Sequence, residues 1–369
     1  MYKAATGGGD GGWPEHESPF IRRLIELFTE RGLTQIDAVR RELDDWIAGN
    51  QHQPTERRPA PPGQVERWTA EELRLVRVYL QAVPPSQFTP EDWSMLVDYL
   101  AQRYLPRDFA LQAADWMAAK TTVMGKVEAL AADMPAEDAE RLALAAPETP
   151  GAADALGLND YQRAVMRYGR QRCAENIQGL TDTLRSRMKR VILDHQEGEF
   201  LGDKAKTAES LRTKLLDEFG TLNRDWRRIA MTEAAENSNQ GYIAAVGTGA
   251  KVKRLEAYDG ACGFCRKING REFAVVSPAK ADKDPDTEVW VGKTNIGRSA
   301  SPMKRVDGEL VPREEDELWW PAAGAQHPHC RGRWLTVKET NTAGDDDFQA
   351  WMKAKLAATR PKRGDDDEE

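Results

Sequence analysis

The chain reads as an α+β protein, mostly helical in its N-terminal and central regions and ending in a small antiparallel β domain around a Cys/His metal knot. Three observations predict this. Apolar residues recur three or four apart from about residue 19 to 246, the period of a helix face. Past Gly247 and Gly249 the helical period gives way to short strand-like runs such as KVKRLEAY (251–258) and RWLTVK (333–338). Within that second region lie Cys262-Gly-Phe-Cys265 and His327-Pro-His329-Cys330, two closely spaced pairs of metal-grade side chains.

The elements follow in order. Residues 1–18 begin with a Gly-rich stretch that favours disorder, because ordering glycine costs the most backbone entropy. A helical region spans 19–150. Ile21, Leu24, Ile25, Leu27 and Phe28 keep the helical period, as do Ile36, Val39, Leu43, Trp46 and Ile47, with Gly32 expected to break the run. Residues 50–64 form a Pro-rich linker. Thr69 followed three residues later by Glu72 is a capping box, and Thr89-Pro90-Glu91-Asp92 opens another helix with Pro at its first position.

Residues 147–156 mark a boundary, and 151–250 hold the long helices. A single helix is expected over 159–197, with Ile177, Leu180, Leu184, Met188, Val191 and His195 as its buried seam. A second runs over 204–219 and stops at Gly220, and Asn223 caps a third that extends to about 246. The first of these is basic. Arg163, Arg167, Arg170, Arg185 and Lys189 either form a solvated face or contact DNA or an acidic partner. Strands are expected at 251–258, 271–276, 288–291 and 333–338, with a polar insert over 277–318. The tail, 341–369, is acidic and largely disordered apart from an amphipathic piece bearing Phe348, Trp351, Met352 and Leu356.

Composition narrows function. A net charge of −8 argues against a protein built to coat nucleic acid. No apolar run approaches the roughly 18–20 residues of a membrane-spanning helix, and the N-terminus has no apolar signal core, so cytosolic synthesis is expected. In a reducing compartment, the four cysteines, Cys173, Cys262, Cys265 and Cys330, point to metal or redox chemistry before disulfides. The C-x-x-C and H-x-x-C pairs together offer the soft donors of a tetrahedral Zn²⁺ site, closing the insert between them. His327 has the better spacing; His329 adjoins Cys330 and suits the same tetrahedron less well. Four protein ligands leave no position for water, which makes the site structural. A three-ligand site, with His329 or Asp259 as base, would make it a metal-dependent nuclease. The phosphate-cradling, nucleophile-elbow and H-E-x-x-H motifs are absent.

The order of these blocks resembles a known family. Arg228-Ile229-Ala230-Met231-Thr232-Glu233, then Asn237 and Gly241, precede Tyr258-Asp259-Gly260-Ala261-Cys262-Gly263-Phe264-Cys265, Asn269-Gly270-Arg271-Glu272-Phe273 and His327-Pro328-His329-Cys330-Arg331. This is similar to the phage Mu F-type head-morphogenesis (minor head, or minor capsid) family over about residues 155–338. The resemblance implies a structural, non-enzymatic role in procapsid and head assembly, with the portal protein, the major capsid or scaffolding protein and packaged DNA as partners. It implies a site first in the host cytoplasm and then in the phage head. Two departures stand out: Met231 replaces an Arg common in the family, and Gly332 replaces a Cys that often follows Cys-Arg.

Overall fold

Four helices form the centre of the computed structural model, which describes residues 16, 18–55, 58–60, 63, 67–337 and 345–359. They are α1 (Pro19–Ile47), α4 (Arg107–Leu130), α7 (Asp160–Phe200) and α8 (Ala208–Val246). Between them in the chain come α2 (Ala70–Gln81), α3 (Pro90–Tyr104), α5 (Ala136–Ala145) and the single turn α6 (Pro150–Asp154). The helix starts follow their caps. Thr69 and Thr89 each accept a hydrogen bond from the backbone three residues on, while Glu72 and Asp92 return the bond. Asn159 does the same with Gln162 at the start of α7.

α4 is the axis of the bundle. Ala113, Ala114, Met117, Ala118, Val123, Met124 and Val127 are all buried, and α1, α7 and α8 pack around it. Small residues let the backbones close in: a Cβ on Gly125 would come within 2.2 Å of the Ser238 carbonyl, and one on Gly241 within 2.8 Å of the Thr122 carbonyl. The apolar core is continuous across 147–156, with Leu142 and Ala153 sharing it with Met166 and Ile177.

Two expected helix breaks are corrected. Gly32 lies inside α1, where a Cβ would meet the indole of Trp226 at 1.7 Å; that ring stacks on Phe28 and donates to its carbonyl at 3.0 Å. Gly220 does not end a helix, and Asn223 does not cap one. α8 runs through both, because Leu211, Leu215, Phe219, Leu222, Trp226 and Ala230 hold one buried face in register. That packing outweighs the roughly 1 kcal/mol cost of a helical glycine.

After α8, strands β1 (Lys251–Leu255), β2 (Glu272–Val275), β3 (Glu288–Val289) and β6 (Arg333–Thr336) form a sheet in the order β3-β2-β1-β6. β1 runs antiparallel to β2 and β6, whereas β3 joins β2 in parallel, since residues 276–287 carry the chain back over the sheet before it pairs. The polar insert holds a separate hairpin, β4 (Met303–Val306) and β5 (Glu309–Pro312), turned at Asp307-Gly308, both with positive φ. The short helix α9 (Gly263–Ile268) separates β1 from β2. Past the sheet, α10 (Asp346–Thr359) returns to the bundle and packs on α5 with Phe348 and Met352 buried.

The C-terminal half of α8 is the platform for the sheet region. Asn239 donates to the Gly332 carbonyl at 3.0 Å, Tyr242 bonds Thr336 at 2.8 Å, and Glu236 accepts from the Ala325 amide at 2.6 Å. Arg333 reaches back to buried Glu128 of α4 at 2.9 Å, and Glu128 also accepts from Ser18 at 2.8 Å. Expectations for 1–15, for part of the linker (56–57, 61–62, 64–66), for 338–344 and for 360–369 lie outside the described residues. No helix among the described residues is long and apolar enough to cross a membrane.

Candidate metal centre

Cys262, Cys265 and His327 come together at the edge of the sheet region, their ligand atoms all within 4.8 Å of one another. Cys262 is the N-cap of α9, and its sulfur accepts from the Cys265 amide at 3.4 Å. The C-x-x-C spacing thus puts both sulfurs at one helix start. The His327 ring enters from the other side, with Nε2 at 3.1 Å from Cys265 Sγ and 3.5 Å from Cys262 Sγ. Its Nδ1 lies 2.7 Å from the Pro328 carbonyl. A carbonyl can only accept, so the proton sits on Nδ1 and the Nε2 lone pair faces the sulfurs, the tautomer a metal needs. Trp319 stacks on the ring at 5.5 Å and is itself met edge-on by Phe264.

Cys330 is the deeper member. It shares a second cluster with Cys265 and Glu256, all three buried. Its sulfur lies 3.3 Å from Arg254 Nη2 and 3.6 Å from Glu256 Oε1. Arg254 and Glu256 form a fully buried ion pair at 2.7 Å, with the guanidinium over the Trp334 ring. The two clusters share Cys265. Burial would raise the Cys330 thiol, but the hydrogen bond with Cys265 and the Arg254 charge bring it down to about 6. Cys265 is pushed up, first by that same hydrogen bond and then by burial. A cation binding these sulfurs would take them as thiolates and displace their protons.

The remaining sequence candidates sit elsewhere. His329 belongs to neither cluster. It holds a left-handed backbone, φ 66°, that a non-glycine residue adopts at a cost, and its amide donates to Thr232 Oγ1 at 3.2 Å. Glu233 and Asn237 lie under α7, away from the sulfurs. Arg172 Nε donates to both Glu233 oxygens at 3.1 Å and Arg172 Nη2 to Asn237 Oδ1 at 2.8 Å. Gly241 is part of the α4–α8 contact.

The basic helix is matched by acids of its own fold. Arg163 pairs with Asp160, Arg170 with Asp115, and Arg185 and Lys189 both with Asp98 at 2.8 Å; Arg167 lies over the Tyr168 ring at 5.5 Å. Sequence reasoning missed Arg254 and Glu256. Val252, Arg254 and Glu256 alternate along one buried face, so strict period-two reading of β1 would have placed both charges inside. Gly332 gains a reason too: a Cβ there would come within 2.3 Å of the Glu256 carboxylate, which fills that space.

Sulfur, imidazole and carboxylate donors therefore gather in two clusters that share Cys265 and could hold a metal ion. In comparisons with protein-family models, curated proteins and solved structures, nothing matches the chain.

Proposed function

We propose that this is a structural head-assembly protein of the phage Mu F-type minor head class. In this reading one Zn²⁺ on Cys262, Cys265, His327 and Cys330 pins its sheet region. The observation that supports it is where the resembling blocks meet. The α8 block and the His327–Arg331 block, almost a hundred residues apart, are joined by the Thr232–His329 bond, and the two Cys/His blocks are joined by the cluster itself. Blocks that meet in a single packed unit fit a scaffold better than a set of independent binding sites. Sulfur and imidazole donors favour Zn²⁺ over the hard cations. The expected partners are the portal protein and the major capsid or scaffolding protein, met in the host cytoplasm during assembly and in the phage head. The chain should co-purify with portal protein from procapsids; heads that lack it, together with a chain that leaves portal protein unbound, would overturn this role.

A metal-dependent nuclease is the second reading, favoured by one feature of the cluster. Cys262 and His327 are partly exposed, while Cys330 is engaged by Arg254 and Glu256. If only Cys262, Cys265 and His327 bind, a fourth position is left for a water that the metal activates. Supercoiled plasmid incubated with the chain and Zn²⁺, Mg²⁺ or Mn²⁺ would be nicked under this reading and stay intact under the first. A DNA-binding internal head protein would need Arg167 and Arg170 to hold DNA in a salt-dependent way. The internal pairing of Arg170 with Asp115 weighs against this.

A further inference from the structure

A half-open cleft of about 590 Å³ lies between α7, α8 and the loop carrying Val291 to Ile296, away from the Cys/His cluster. Its volume is in the range of clefts that bind organic ligands, about 300–1,000 Å³. One wall is a stripe of α7, where Tyr161, Val165, Tyr168, Arg172 and Glu175 recur three or four apart on a single face. Val291 and Ile296 line it from the loop. Tyr161, Tyr168 and Ile296 are 43%, 63% and 62% exposed, an apolar rim left in solvent.

Beneath the rim the charge is unbalanced. Arg172 is the one cation among the lining residues, and it is spent on Glu233, 2.9 Å away in α8. Two further carboxylates line the cleft, those of Glu175 and Glu236. Glu236 is buried and held by neutral donors, the Ala325 amide at 2.6 Å and Gln240 Nε2 at 3.2 Å. Glu175 is exposed and accepts from Gln171 Nε2 at 2.9 Å; among the described residues it forms no ion pair. Three carboxylates therefore surround one guanidinium. In a half-enclosed site with low-dielectric walls, such an excess acts on whatever enters.

We infer that this cleft takes a basic side chain, lysine or arginine, from the surface of a partner protein. Such a side chain is an apolar stem with a charged tip, and the cleft is ordered the same way, apolar at the rim and acidic below. The stem lies along Tyr161, Val165 and Ile296, and the tip meets the Glu175 carboxylate. Glu233 and Glu236 need not be touched: they add a negative field that Arg172 alone does not cancel. The Tyr168 ring already carries Arg167 at 5.5 Å, so the incoming charge is assigned to Glu175 and not to that ring. The same field repels phosphate, which sets nucleic acid aside as the occupant. This site does not depend on the metal reading, and an idle cleft would leave the metal centre untouched.

The probe is Nα-acetyl-lysine methylamide, titrated against full-length protein with labelled Val and Ile methyl groups and followed by NMR. Nα-acetyl-norleucine methylamide, nearly the same stem without the charge, is the comparison. Saturable shifts at Val165, Val291 and Ile296 are expected with the lysine probe, and binding about three- to tenfold weaker with norleucine. Glu175→Gln, an exposed change with little folding risk, should weaken the lysine probe by a similar factor and leave the norleucine probe unchanged. The inference falls if the lysine probe leaves those methyls unmoved, if norleucine binds as tightly, or if Glu175→Gln binds the lysine probe as well as the parent does.

Discussion

The helical bundle and the sheet region are held by different means. In the bundle one apolar core runs from Phe20 of α1 to Met352 of α10, with Trp46, Trp226 and Phe28 at its centre. The region from 251 to 337 has a much smaller apolar core, around Val252, Phe273, Val289 and Trp334. Beside it are the fully buried Arg254–Glu256 pair, the buried Lys293 between Trp290 and Trp320, and the Cys/His cluster. A fold with little apolar area to bury needs another source of stability, and a structural metal is one. The difference implies that the two regions fail separately and by different insults.

The largest separation should come from the metal. In the proposed metal-bound form, chelation or Cys265→Ser should remove the clamp between α9 and the 327–330 turn. Structural zinc contributes on the order of 10 kcal/mol in small folds. Hydrogen exchange should show protection lost across β1, β2 and β6 while α4 and α8 stay protected. Uniform loss across both regions would erase the distinction. The converse insult is Trp226→Ala, which leaves a cavity against Phe28 and Gly32 and should cost about 3–5 kcal/mol in the bundle, read by urea denaturation. Arg254→Met should cost a similar amount, about 3–5 kcal/mol, but in the sheet region, because it leaves Glu256 buried and uncompensated.

How much of this was legible in the sequence depends on the range of the forces involved. The capping boxes at Thr69 and Thr89 and the two Cys/His pairs are local patterns that lie where local chemistry puts them; of the expected α7 seam, Ile177, Leu184, Met188 and His195 are buried, while Leu180 and Val191 are half-buried and Thr181 and Ile192 take the buried places beside them. Gly32 and Gly220 were misread because their helix-breaking tendency is about 1 kcal/mol, less than the packing of Trp226 and its neighbours supplies. The hairpin at Asp307-Gly308 carried a readable turn signal, hidden by the polar character of the whole insert. In the site, Cys262, Cys265 and His327 follow from spacing. Glu256 does not, since a lone Glu on a strand looks solvent-facing until the pleat is counted.

A smaller effect marks the seam between the two regions. His16 is buried, and that burial, followed by the charges of Arg254, Arg333, Arg22 and Arg331, lowers its pKa to about 3. Between that value and the ordinary 6.5, the unfolded chain binds a proton that the folded chain does not. Its contribution to stability is therefore complete above about pH 6.5 and is lost as pH falls toward 3, by a few kcal/mol at most. Glu128 beside it is shifted up by burial and acts in the opposite sense. Comparing the pH slope of the parent with that of His16→Asn isolates the histidine, and identical slopes would remove it from the account. Smallest of all, Arg170→Glu breaks an exposed pair with Asp115 and should change stability by less than about 1 kcal/mol.

The most direct test of the proposed metal pin in the sheet region is X-ray absorption at the zinc edge on protein purified without added metal. One zinc per chain with three sulfur and one nitrogen neighbour near 2.3 and 2.0 Å, about the distances usual for such ligands, is the predicted result. A metal-free chain that keeps β1, β2 and β6 fully protected would contradict the account. So would a zinc shell with an oxygen in place of the Cys330 sulfur, which would move the site from structure to catalysis.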